Sequence, residues 1–326
     1  MKAQKLNPQT SALPRHQSAT KAPKFERILV PTDFSPLSRL GLDAALVLLG
    51  RNPAESPDAT VELLHVIEPV SVMGAADFSS PAHFIPEVAT EQAEEEFTNL
   101  KTAYQNIKNI NTRVATGHPA RTVCARAREG NFDLIVLSSH GRTGMGRILM
   151  GSVAEQIVQN SECPVLVVKP LKDSQGELLP EARELSLNHI LVGYDHRPGA
   201  ERALEMAEGI AHPTDSRITL LRALPPQDVR IGLNLLHDQE LDDSLQSEAL
   251  AKLADLRMAH LPKSAGWELR AFIGHPWDVI ADYAREHSCD LVVVGPHEHT
   301  RWGRGIMGST AQRVVRLAPC AVLAVK

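Results

Sequence analysis

Two stretches of this sequence have the residue types and spacing to hold a phosphate. The first runs from Ser138 to Ser152 and carries Gly141, Gly144, Gly146 and Gly151. The second runs from Gly295 to Ser309, with Gly303, Gly305 and Gly308. Each follows an apolar run, Leu134 to Leu137 or Leu291 to Val294, and each leads into helix-like sequence. A strand, a glycine loop and a helix start in that order form a phosphate-holding device. Glycine lets backbone approach the anion, and the unpaired N–H groups of the helix start point at it. Arg142 and Arg147 add positive charge to the first loop, although loop arginines are commonly only solvated. The second loop places Glu298 where the first has Gly141. There a side chain fills phosphate space and its carboxylate repels the anion. Two unit charges about 4 Å apart cost about 4 kcal/mol at an effective dielectric near 20. Without a bridging cation that abolishes micromolar binding. The chain therefore reads as a two-fold nucleotide binder with one site lost.

Other chemistry is not declared. There is no GxxxxGK[ST] loop, no acidic set for two metals, and no local Ser-His-Asp or Cys-His motif. His297-Glu298-His299 lacks a defined third ligand, and loop histidines are more simply solvated. Cys124, Cys163, Cys289 and Cys320 are scattered without a CxxC pair, as suits free thiols in a reducing cytoplasm.

The elements that must position the loops follow from a duplication. Gly117-His118-Pro119 matches Gly274-His275-Pro276, Asp133-Leu134 matches Asp290-Leu291, and Val168-Lys169 matches Val325-Lys326. The offset is constant, since 274 − 117 and 326 − 169 both give 157. Nearer the start, Ile28-Leu29-Val30 with Asp33 matches Ile190-Leu191-Val192 with Asp195 at 195 − 33 = 162, which implies a short insertion around Arg51 to Asp58. In the first half the apolar runs predict strands at Arg27 to Pro31, Val61 to Ile67, Thr112 to Thr116, Asp133 to Ser138 and Pro164 to Val168. Helices are predicted at Leu37 to Leu49, about Pro86 to Ile107, Ala120 to Glu129 and Ser152 to Asn160. This alternation implies an α/β fold of two tandem, doubly wound parallel-sheet domains with right-handed crossovers. Ligands of such sheets bind beyond the strand C-termini, where strand order reverses. Asp33 and Ser138 both end strands, so both are candidates to face one crevice. His118 and His275, beside proline at a strand-to-helix turn, are expected to shape that turn. Asp77 to Phe84 and Leu233 to His237 lie in long connections suited to lids.

Residues 1–24 carry five basic and no acidic residues and are expected to be a disordered basic tail, an organelle transit peptide having a similar composition. The expected division is then 25–170 for the first domain, 171–186 for a linker and 187–326 for the second. A length of 326 residues suits two cores, and 43% hydrophobic with 22% charged residues is a soluble globular composition. A net charge of −5 argues against general nucleic-acid binding, and no apolar run approaches the roughly 20 residues that span a bilayer.

Taken together, Ile28-Leu29-Val30-Pro31-Thr32-Asp33-Phe34-Ser35, Leu63-Leu64-His65-Val66 and the first loop resemble the universal stress protein family in a tandem form. Its ATP-binding members carry Gly-x2-Gly-x9-Gly-Ser/Thr. Here that becomes Ser138-x2-Gly141-x9-Gly151-Ser152 and Gly295-x2-Glu298-x9-Gly308-Ser309. The resemblance implies Rossmann-like domains of the adenine nucleotide α-hydrolase-like kind, paired through their last strands near Val165 to Val168 and Val322 to Val325. By the same resemblance Pro31, Thr32, Asp33 and Val66 would surround adenine and ribose. Leu137, Ser138, His140, Gly141 and the nearby Arg142 would line the ribose and α-phosphate. Gly151, Ser152 and Val153 would take the β- and γ-phosphates. The expectation is a cytoplasmic, regulatory ATP binder, with Mg²⁺ accompanying the nucleotide and a homodimer as a further state. A slow ATPase and a nucleotide-free interaction scaffold stand as alternatives.

Overall fold

The computed structural model describes residues 25–50, 58–72, 82–84, 87–105, 109–140, 150–172, 178–179, 185–211, 216–226, 228–231, 234–237, 239–260, 266–296 and 307–326. The first half runs β1 (Arg27–Pro31), α1 (Pro36–Gly50), β2 (Thr60–Ile67), β3 (Val70–Val72), β4 (Ala82–Phe84), α2 (Glu87–Ala103), β5 (Ile110–Thr116), α3 (Pro119–Glu129), β6 (Leu134–Ser138), α4 (Ser152–Asn160) and β7 (Val165–Val168). Two short strands follow, β8 (Leu171–Lys172) and β9 (Leu178–Leu179). The second half runs β10 (His189–Gly193), α5 (Pro198–Ala211), β11 (Arg217–Leu224), β12 (Asp228–Ile231), β13 (Asn234–His237), α6 (Gln239–His260), β14 (Gly266–Ile273), α7 (Pro276–Glu286), β15 (Leu291–Val294), α8 (Ser309–Leu317) and β16 (Ala321–Ala324).

Ten strands form one sheet in the order β14-β11-β10-β15-β16-β7-β6-β1-β2-β5. Within each half of this sheet every pairing is parallel, and both halves use the same order. The halves join where β16 meets β7 antiparallel, pairing Val322 with Val167, Leu323 with Leu166 and Ala324 with Val165. Both last strands are fully buried runs, VLVV and AVLA, that would otherwise be bare apolar edges. Strand periodicity sends alternate residues to opposite faces. Ile28 and Val30 pack with α1 and α2 residues such as Leu42 and Phe97, while Leu29 packs with Val123 of α3 and Ile157 of α4.

The duplication reaches the backbone. Phe34 and His196 share a left-handed φ of 62° and 60°, Asn131 and Ser288 share 49° and 50°, and Gly117 and Gly274 share 143° and 153°. The repeated aspartates have a local task. One Oδ2 of Asp133 accepts the N–H groups of Glu26 and Arg27, both at 2.8 Å. Asp290 does the same for Asn188 and His189, both at 3.0 Å. Asp133 therefore precedes its strand instead of opening it, and Pro164 likewise stands outside β7.

Other expectations need correction. The third main strand starts at Ile110, not Thr112, and α2 spans Glu87–Ala103, shorter than its predicted range. The two long connections contain antiparallel hairpins, β3 with β4 and β12 with β13, and a third hairpin, β8 with β9, lies between the halves. His118 and His275 cap α3 and α7 without any side-chain hydrogen bond; the positive φ at Gly117 and Gly274 makes the turn. The tail at 1–24, the insertion at 51–57 and the His297-Glu298-His299 run lie outside the described residues. No described helix is long and apolar enough to cross a membrane.

Candidate functional site

A cavity of about 220 Å³ opens beyond the C-terminal ends of β1 and β6. These neighbours are where the strand order reverses, because the chain leaves β1 toward β2 on one side and β6 toward β7 on the other. Its walls include Pro31, Thr32, Asp33, Val66, Leu137, Ser138, His140, Gly151, Ser152 and Val153. Four separate chain segments thus bring ten of the twelve positions singled out in the sequence to one place. The other two, Gly141 and Arg142, lie outside the described residues. Ser38, Leu64, His65, Pro119, Val123, Ser139, Ala154 and Ile157 complete the lining. His65 and Leu64 sat inside a quoted motif; Val123, Ala154 and Ile157 read as ordinary core positions on helices, with no signal to separate a cavity wall from packing.

The β1–α1 turn is fixed by hydroxyls. Ser38 Oγ donates to the Ser35 carbonyl at 2.9 Å, so its single proton is spent. The Thr32 hydroxyl, 3.0 Å away, therefore donates to Ser38 Oγ while accepting the Phe34 N–H at 3.0 Å. Asp33 Oδ1 accepts from Ser35 N at 3.0 Å and Ser35 Oγ at 2.6 Å, which sets the carboxylate at the cavity wall. His65 Nδ1 lies 2.8 Å from the Thr32 carbonyl, which only accepts, so the ring proton is on Nδ1. The same ring packs on Phe34 at 4.5 Å between centroids, and Phe34 meets Phe97 edge-on at 5.0 Å.

The opposite wall is the start of α4. Gly151 is its N-cap at φ −60° and ψ 144°, with no side chain capping the first turn. The Gly151 N–H donates to the Ser139 carbonyl at 2.8 Å, which ties the helix start to the end of β6. The N–H groups of the turn that follows have no partner within the helix. A Cβ built at Gly151 would meet only the Ser139 oxygen, at 3.6 Å, so this glycine is demanded by neither φ nor packing. Beside it Ser139 Oγ lies 2.9 Å from His140 Nδ1. The first-turn carboxylate, Glu155, pairs with Arg316 across the junction of the halves.

The matching region of the second half is built differently. Asp195 keeps its strand-end position and accepts the Arg197 N–H at 3.2 Å. Tyr194, 3% exposed, replaces Thr32, and burial pushes its phenol up to about 12. Gly295 sits directly on the backbone of Gly199 and Ala200 at the start of α5, where any Cβ would collide. In the first half Ser138 holds that position and faces the cavity. Among the described residues no group of three His, Cys, Asp or Glu side chains stands ready for a metal.

The sequence model of the universal stress protein family matches residues 24–169 and again 186–326. Universal stress protein MJ0531 of Methanocaldococcus jannaschii is 35% identical over 150 residues, which cover 45% of this chain and 84% of that one. YxiE of Bacillus subtilis, another universal stress protein, is 33% identical over 149 residues, covering 44% of this chain and 99% of its own. Among solved structures, a universal stress protein from Archaeoglobus fulgidus aligns over 92% of this chain and 96% of its own. Its TM-score is 0.60 at 22% identity, a likeness of fold across both halves. With two matches in one chain, joined through a single sheet, this protein belongs to the universal stress protein family as a tandem member.

Proposed function

We propose that the cavity of the first half binds ATP and that occupancy serves regulation instead of turnover. The observation that carries this reading is the meeting of a strand-end carboxylate, an apolar wall and an uncapped helix start at the reversal of strand order. On this reading Asp33 would meet ribose hydroxyls, Val66 and Leu137 the base and sugar faces, and the Gly151–Ser152–Val153 turn the phosphate oxygens. Gly141 and Arg142 would close the site from the connecting loop. Mg²⁺ would come with the phosphates, for which it keeps its own waters. The second half would bind no ATP, since Gly295 packs on α5 and Glu298 replaces a glycine. The domain bounds that go with this reading are 25–170 and 187–326, with 171–186 between them. One observation favours slow hydrolysis as a second reading: the Ser139–His140 pair lies on the cavity wall, where an imidazole would serve as base.

Calorimetric titration tests the first reading, with one ATP per chain expected. Gly151→Asp should abolish binding, because it adds charge and a side-chain acceptor at the N–H groups meant for phosphate. The variant should fold as well as the parent, since φ is −60° and aspartate is a favoured N-cap. Gly308→Asp, its counterpart in the second half, should leave affinity unchanged. Two ATP per chain, or full affinity in Gly151→Asp, would overturn the assignment.

A further inference from the structure

All four cysteines are free thiols, and two of them meet where the halves join. Another cavity of about 220 Å³ lies there. Its walls include Lys169 and Pro170 beyond β7, Leu185 and Ser186 of the connection, and Cys289 and Cys320 just before β15 and β16. The ladder of these two parallel strands opens on Leu291 opposite Ala321, so Cys320 stands beside Asp290 and one residue along from Cys289. Neighbours across a ladder are about 4.8 Å apart and one residue along it adds about 3.3 Å. That leaves the two Cα atoms roughly 6 Å apart, within the span of a disulfide. Both thiols pack into one core cluster with residues of α7 and α8. Cys289 is buried, and Cys320 is partly exposed.

The duplication supplies an internal control. The first half has Cys163 at the place of Cys320 (320 − 163 = 157), but Phe132 at that of Cys289 (289 − 132 = 157) and Arg27 at that of His189 (189 − 27 = 162). The fold itself therefore asks for neither a second thiol nor an imidazole there. Cys289 Sγ lies 3.5 Å from His189 Nδ1 and 3.8 Å from Nε2. Arg217 Nη2, which only donates, is 2.8 Å from Nδ1, and Nε2 is 2.9 Å from Thr219 Oγ1, so Nδ1 carries the lone pair. The His287 carbonyl, 3.2 Å from Nδ1, would accept a proton gained there. We propose that Cys289 and Cys320 form a reversible dithiol site that a low-molecular-weight disulfide closes to a protein disulfide. Cys320, as its thiolate, attacks one sulfur of the oxidant, and the other sulfur leaves as a thiol with the Cys320 proton. Cys289 then attacks Cys320 Sγ in the mixed disulfide. Its proton passes to His189 Nδ1 and on to the second departing sulfur. The protein loses two hydrogens, and the small disulfide is reduced to two thiols. Burial, the first cause in each case, pushes both thiols up to about 12. Closure is therefore slow, a response to sustained oxidising conditions and not to a brief pulse.

Incubating the folded chain with glutathione disulfide, quenching in acid and alkylating the denatured product with a maleimide tests this by mass. Two of the four cysteines should become protected from alkylation. Trypsin without reductant should release residues 286–301 linked to residues 317–326. A thiol reductant should restore all four. Cys289→Ser should stop at one glutathione on Cys320, and Cys320→Ser should leave Cys289 reduced. His189→Gln should accumulate the glutathione adduct before closure. The linkage map of the parent decides the proposal where a serine variant fails to fold. Four alkylated cysteines after prolonged exposure would overturn it, as would a disulfide confined to Cys124 and Cys163 or a lasting glutathione adduct on the parent. Glutathione on Cys289 in Cys320→Ser would overturn the order of attack. Closure at the parent rate in His189→Gln would remove the imidazole from the second step.

Discussion

Glu208 on α5 shows how one side chain sets a pH dependence for the whole fold. One of its carboxylate oxygens is buried and makes no hydrogen bond among the described residues. Burial, and then the neighbouring Glu205, push its pKa from 4.5 up to about 7. Between those values the folded chain holds a proton that the unfolded chain has released. Its contribution is therefore complete below about pH 4.5 and is lost as the pH rises to about 7. Glu208→Gln should flatten this window and raise stability at pH 8 by roughly 1–2 kcal/mol, partial exposure considered. Denaturant unfolding at pH 5 and pH 8 measures it, and equal pH slopes in the two proteins would refute it. The same residue illustrates what a sequence withholds. Asp33, Asp133 and Glu208 are all acids in or beside regular elements; the repeat marks the first two but does not tell a cavity wall from a strand-end cap. That distinction depends on which backbone N–H groups lie within reach, a property of the folded chain.

The main strands and helices were legible because each is a short apolar run or an amphipathic segment bounded by glycine or proline. The hairpins β3–β4, β8–β9 and β12–β13 were not. Their strands are two to four residues long, too short for alternation to register, and they are held by pairing with one another outside the main sheet. The cavity was legible at its strand ends and helix start, where motif residues sit. Its helix-borne walls, Val123 and Ile157, were hidden in core periodicity. At the β5–α3 turn, glycine is required. Gly117 has φ 143°, and a Cβ there would stand 2.7 Å from Thr122 Oγ1. Gly117→Ala should destabilise the protein by about 1–3 kcal/mol through backbone strain and this clash. Gly266→Ala, with nothing within 4 Å of the added carbon, is the matched control and should change stability little. Denaturant midpoints of the two variants decide it; equal midpoints would show that the turn tolerates a side chain.

Across the molecule the two halves are joined by more than the β7–β16 ladder. The lysine after each last strand, part of the repeated Val-Lys pair in the sequence, crosses to the final helix of the other half. Lys326 Nζ donates to the Val158 carbonyl near the end of α4 at 2.6 Å, and Lys169 Nζ donates to the Arg316 carbonyl near the end of α8 at 3.2 Å. A cation at a helix C-terminus meets unpaired carbonyls and the negative end of the dipole. Glu155 and Arg316 join α4 to α8 directly. One sheet with reciprocal contacts of this kind should unfold as one unit, so calorimetry should show a single transition. Burial holds the Lys326 ammonium down at about 8, from 10.5, against the opposing pull of Cys124 and Cys163. Between those values the unfolded chain carries a proton that the folded chain lacks, so this group adds stability as the pH rises through the window. The transition of the parent should therefore gain relative to that of Lys326→Met between pH 8 and pH 10, a methionine having no proton to release. Two separate transitions would show that the halves are not coupled through the junction. A constant difference between the two proteins across that pH range would show that Lys326 keeps its charge there and is not desolvated by the pairing of the halves.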